Sequence, residues 1–103
     1  MFKELLIEAV KRGRIKWQRH ALERMMERNI YRSEVKQVLL KGELIEEYID
    51  DHPLPSGLFL KFINKMPLHV VAAVDKETNW CYIVTAYHPD SNHFESDFKT
   101  RKR

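Results

Sequence analysis

The order of apolar patterns along the chain predicts an α+β domain, with N-terminal helices packed on one face of an antiparallel sheet of four to five strands. Three observations predict it. Apolar residues recur at helical spacing as far as Leu40. Three later runs, residues 58–63, 68–74 and 80–87, are rich in β-branched and aromatic residues. The connections between those runs, 64–67 and 75–79, are short enough to join antiparallel neighbours into a meander. At 103 residues the chain holds one domain, 1–103, with a single modest core.

Taken in order, Phe2, Leu5, Leu6, Ala9 and Val10 fall at i, i+3, i+4, i+7 and i+8, an amphipathic helix that Gly13 ends. Ile15 and Trp17 alternate with Arg14 and Lys16, a short edge strand that leads into a second helix over residues 19–28. At about 100° per residue, that helix gathers Leu22, Met25, Met26 and Asn29 on one side and aligns His20, Arg24 and Arg28 along the neighbouring edge. Asn29 suits the left-handed conformation that closes a helix, and Ile30 can pack back against it. Residues 34–41 read as a third helix with Ser33 as its cap. Residues 43–49 fit a strand better than a helix because Gly42 and the breaker cluster 50–57 bound them. In residues 68–74 both alternating faces are apolar, which suits a central strand; His69 there is either a satisfied half-buried residue or a catalyst. Tyr87, which shares a face with Thr85, either offers its phenol to a site or caps the core.

Net charge is +3, and its distribution says more than the total. Residues 1–42 hold eleven Lys/Arg against five Glu, residues 43–56 hold five acids and no Lys/Arg, and residues 99–103 hold four cations. A tail folded back toward the first helices would merge the basic segments into one patch for a polyanion; the alternative is a frayed cationic terminus. Cys81 stands alone inside an apolar strand, which excludes an internal disulfide and a Cys-based zinc site and makes it a buried thiol. No apolar run approaches the roughly 20 residues that cross a bilayer, and the N-terminal residues lack a signal-peptide layout, so a cytoplasmic location with no membrane partner is expected.

The same elimination narrows the chemistry. His88, Asp90 and His93 are close in sequence but match no ligand motif and suit a turn equally well, so no metal is expected. Gly13, Gly42 and Gly57 form no phosphate-binding loop, there is no exposed-serine motif, and no small-molecule cofactor is expected. What the residues can support is metal-free chemistry on a phosphodiester. That reaction needs a proton acceptor for the 2′-hydroxyl, a proton donor for the leaving oxygen, and cations where charge builds on phosphorus. Imidazole exchanges protons near neutral pH, which makes His20 the candidate acid or base. Arg24, Arg28 and Arg101 can hold a phosphate bidentately, and Tyr87 can bond the phosphate or stack a base. An ordinary solvated face, with Glu23 and Glu27 neutralising Arg19 and Arg24, is the competing reading of the same row.

Four stretches together resemble a known family. Residues 19–30 (RHALERMMERNI), 42–48 (GELIEEY), 67–71 (PLHVV) and 83–90 (IVTAYHPD) are similar to the small bacterial domain-of-unknown-function family 4258, itself similar to the RelE/ParE/BrnT toxin superfamily. The resemblance implies a RelE-like fold with a curved sheet, and either a toxin-like, metal-independent endoribonuclease restrained by a small antitoxin protein or a noncatalytic domain binding nucleic acid or protein. It implies His20, Arg24, Arg28, His69 and Tyr87 as catalytic positions. Arg19, Lys99, Arg101 and Lys102 would then bind RNA. Gln18 in place of Thr or Ser, and Asn29 in place of Gly, depart from the family pattern at both ends of the central helix.

Overall fold

The computed structural model describes residues 1–103 as α1 (Phe2–Lys11), β1 (Ile15–Trp17), α2 (Arg19–Glu27), α3 (Arg32–Lys41), β2 (Glu43–Tyr48), β3 (Ser56–Ile63), β4 (Met66–Asp75) and β5 (Trp80–Tyr87). The five strands form one open sheet in the order β1-β5-β4-β3-β2. The meander from β2 to β5 is antiparallel, as the short connections require, and β4 is central. β1 differs: it pairs parallel to β5, Ile15 opposite Cys81 and Trp17 opposite Ile83, because the helices α2 and α3 intervene between β1 and the meander.

The apolar stripe of α1 is its buried side, with Phe2, Leu6, Ala9 and Val10 all covered. Gly13 closes the helix at φ 72°, a left-handed backbone that costs glycine little, and the Gly13 and Arg14 amides donate to the Val10 and Ala9 carbonyls at 3.0 and 2.8 Å. α1 and α3 pack together over β3, β4 and β5, and a core of 19 buried residues lies between these helices and one face of the sheet. Leu6, Val35, Val38, Leu39, Phe59, Val70 and Ile83 have no exposure at all. Cys81 joins this core, and burial pushes its thiol up to about 12, so it stays protonated and inert. No helix is long and apolar enough to cross a membrane.

Asn29 does take a left-handed backbone (φ 57°), and the amide of buried Ile30 donates to the Met25 carbonyl at 2.9 Å. The face α2 buries is turned from the expected one. Ala21 and Met25 are covered, Leu22 is half-buried, and Met26 stands 79 % exposed, because α2 packs along the edge of β5 rather than flat on the sheet. α3 begins before Ser33. Its first turn is closed from within, by the Glu34 carboxylate accepting from the Tyr31 amide at 2.9 Å.

The second face of the sheet is covered over one half by the C-terminal segment, residues 88–103. Phe94 is buried there, and Phe98 sets its ring edge-on to Phe62, centroids 6.2 Å apart. This is where the expected charge map changes. The cationic tail neither joins the basic helices nor frays; it lies on the acidic strand, with Lys99 on Glu43 at 2.9 Å and Arg101 on Glu46 at 2.9 Å. A bulge in β2 between Leu44 and Glu46 makes this possible. Leu44 opposes Phe59 on the core side, whereas Glu43, Glu46 and Tyr48 oppose Leu60, Leu58 and Ser56 on the other.

Candidate functional site

The far end of β5 collects most of the polar chemistry of the second face. Register places Leu60, His69 and Tyr87 abreast on β3, β4 and β5. The His69 ring has no solvent exposure and is enclosed by Tyr87 and Phe94, both edge-on, at centroid distances of 5.3 and 4.7 Å. Its two nitrogens are both engaged. Nε2 lies 2.7 Å from the Phe98 carbonyl, which can only accept, so Nε2 carries the proton; Nδ1 then presents a lone pair to the Tyr87 hydroxyl at 3.3 Å. Phe98 delivers that carbonyl from a left-handed backbone (φ 56°), an uncommon state for a bulky residue, offset here by its ring packing and this hydrogen bond.

Arginines flank the phenol. Where β1 stops pairing, α2 runs on beside the edge of β5, and the Arg28 guanidinium donates to the Ala86 carbonyl at 2.9 Å and reaches Thr85 Oγ1 at 3.5 Å. From the other side Arg101 donates to both carboxylate oxygens of Glu46 at 2.9 and 3.1 Å, with the Tyr48 hydroxyl 3.5 Å away and itself donating to Glu46. Burial raises the Tyr87 phenol above its ordinary value, against the opposing pull of Arg101 and Arg28, so it keeps its proton at neutral pH. Burial lowers His69, outweighing the Phe98 carbonyl and the Glu46 charge, so its lone pair is free. Burial would raise Glu46, but hydrogen bonds from Arg101 and Tyr48 prevail and hold it below the usual carboxylate range.

The structure therefore brings together Arg28, His69, Tyr87 and Arg101, and adds Glu46 and Tyr48, which the sequence reading left in the acidic run. The bulge hid them: simple alternation would have put Leu44 and Glu46 on the same face. His20 and Arg24 are not part of the cluster. His20 lies about 12 Å along the helix axis from Arg28 and is exposed, while Arg24 pairs with Glu27 at 3.3 Å and Arg19 with Glu23 at 3.5 Å. The Lys102 side chain is exposed, and only its amide is engaged, on the His93 carbonyl. His88 Nδ1 donates to the Pro67 carbonyl, and His93 Nδ1 bonds Asp90, whose carboxylate also takes the Asn92 and His93 amides as a turn.

The family model described as a domain of unknown function, DUF4258, matches residues 17–88, a span from β1 through β5 that takes in α2, His69 and Tyr87. The chain belongs to the DUF4258 family. No curated protein and no solved structure matches it. The DUF4258 match stops at residue 88, so the Phe98 carbonyl and Arg101 that complete the cluster come from residues beyond it.

Acid should weaken this DUF4258 fold in two stages. The unfolded chain protonates His69 near pH 6.5, whereas the buried ring resists, so stability falls as pH drops below 6.5. Protonation of Glu46, depressed in the fold, removes further stability below its unfolded value of 4.5 and loosens Arg101. Thermal unfolding across this range should show the upper stage in the native protein and lack it in His69→Gln. An identical pH profile for the variant would exclude His69 as its source.

Proposed function

We propose that this protein is a RelE-like, toxin-type endoribonuclease that needs no metal and cleaves RNA at the Tyr87 end of β5. One observation carries the reading: with its Nε2 proton held by the Phe98 carbonyl, neutral His69 aims its free Nδ1 at the Tyr87 hydroxyl. That is the arrangement of a hydroxyl activated by an oriented base. In the reaction Tyr87 Oη takes the 2′-hydroxyl proton as its own proton passes to His69 Nδ1. The 2′-oxygen bonds to phosphorus, the bond from phosphorus to the 5′-oxygen breaks, and that oxygen takes a proton from water, whose hydroxide is neutralised by the proton that His69 returns through Tyr87. A 2′,3′-cyclic phosphate and a 5′-hydroxyl result. Arg28, and Arg101 when phosphate displaces Glu46, stabilise the charge on phosphorus. The negative charge of Glu46 favours the imidazolium formed at His69.

A second reading, a noncatalytic domain that holds nucleic acid or a protein partner, is favoured by the state of Arg101, already neutralised by two hydrogen bonds to Glu46. Either reading leaves room for a small antitoxin protein. Met26 and Tyr31, 79 % and 66 % exposed, border a concavity of about 350 Å³ lined also by Leu22 and Ile30, an apolar seat for an amphipathic segment. Incubating the purified protein with structured RNA in EDTA decides between the two. Cyclic-phosphate ends are the expected product, and His20→Ala should retain cleavage. Intact RNA with salt-sensitive binding would establish the noncatalytic reading, and loss of cleavage in His20→Ala would move the proton chemistry to α2.

A further inference from the structure

The largest concavity of the molecule is elsewhere on the same face, at the uncovered half of the sheet. It measures about 540 Å³, within the range of small-ligand sites, and lies between the β2–β3 loop and the start of α2. Ala73, Tyr82, Val84 and Leu54 give it apolar surface, and Gln18 and Asp51 bring polar groups to its rim. No lysine or arginine lines it, and His52, beside the Asp51 carboxylate, is the one basic side chain in its wall. Its chemistry suits a flat, uncharged ring. Tyr82 is a half-buried aromatic surface for stacking. Asp51 is fixed by Ser56, a buried residue whose hydroxyl donates to Oδ2 at 2.6 Å, and its remaining lone pairs can only accept.

We infer that this concavity binds a nucleobase, and that the base it selects is guanine. Guanine presents two adjacent N–H donors that a fixed carboxylate accepts side by side, with the ring stacked on Tyr82 and the Gln18 amide free to meet its carbonyl oxygen. The inference rests on the RNA reading above and extends it to a sequence preference. Register puts Tyr82 opposite Ala73 and Tyr87 opposite His69, so both phenols share the second face. They lie about 15 Å apart along β5. Along the neighbouring edge of β5 runs α2, capped by Gln18 at the rim and by Arg28 beside Ala86, with Arg24 on the same stripe as Arg28. A single strand with its base seated at Tyr82 would thus have cations beside its backbone on the way to Tyr87.

Titrating the full-length protein with guanosine, and with a short 2′-O-methyl RNA carrying a single guanine, tests this apart from cleavage, since neither ligand can be cut at a 2′-hydroxyl. Both should shift the amide resonances of Leu54, Ala73 and Val84, and adenosine, cytidine and uridine should bind about tenfold more weakly. Asp51→Asn should lose the preference for guanine, and Tyr82→Leu, which keeps the apolar contact, should weaken all four nucleosides about tenfold. Unmoved resonances, or equal affinity for the four nucleosides, would overturn the inference even if RNA is cleaved. Guanosine binding with RNA left intact would uphold the pocket while removing the cleavage reading.

Discussion

Tyr87→Phe should lower the rate of RNA cleavage by about 10²–10⁴-fold, the range lost when a positioned proton-transfer group is removed. The substitution deletes one oxygen. The phenyl ring still packs edge-on to His69 and still sits opposite it in the β4–β5 register, so the core and sheet are unchanged. The lost hydrogen bond, 3.3 Å long, leaves the buried His69 Nδ1 without a partner and costs about 1–3 kcal/mol of stability, visible as a shift of the unfolding midpoint. RNA binding should persist because Arg28 is anchored to the Ala86 carbonyl and not to the phenol. Single-turnover cleavage measured beside a filter-binding titration separates these effects. Cleavage at the rate of an active wild-type protein would exclude Tyr87 as the proton acceptor.

The largest effect on stability should come from Phe59→Ala, about 3–5 kcal/mol out of the roughly 5–15 kcal/mol that holds a domain of this size. Phe59 is fully covered at the centre of β3, stacked on Phe2 of α1 with ring centroids 6.4 Å apart. Phe2 can lie this close because residue 57 is glycine: a Cβ there would sit 2.7 Å from the Phe2 ring and 2.7 Å from Leu44. The aromatic pair therefore fastens the N-terminal helix to the sheet, and truncating it leaves a void that neither backbone can close. Phe62, three residues on and 48 % exposed, meets Phe98 of the C-terminal segment edge-on, and its alanine variant should cost about 1 kcal/mol. Urea unfolding of the two variants measures the contrast. Equal losses would mean that α1 is not docked as described.

The sequence by itself determined the α+β class, the three helices, the four strands of the meander, the edge position of β1, the left-handed turn at Asn29 and the buried state of Cys81. These follow from local chemistry: apolar spacing of 3.6 or 2, glycine and asparagine where φ is positive, and short connections that permit only antiparallel neighbours. Hydrophobic periodicity also reported both faces of β4 as apolar, and His69 is a buried ring whose two nitrogens meet the Phe98 carbonyl and the Tyr87 hydroxyl. Only the tertiary structure decided that β1 runs parallel to β5, that α2 buries Ala21 and Met25 while exposing Met26, and that the basic tail covers the acidic strand. It likewise separated His20 and Arg24 from the Tyr87 cluster and supplied Glu46 and Tyr48 to it. The physical reason is register. One extra residue in β2 turns Glu46 to the opposite face, and a contact between positions 46 and 101 depends on the path of the whole sheet, which no window of neighbouring residues encodes.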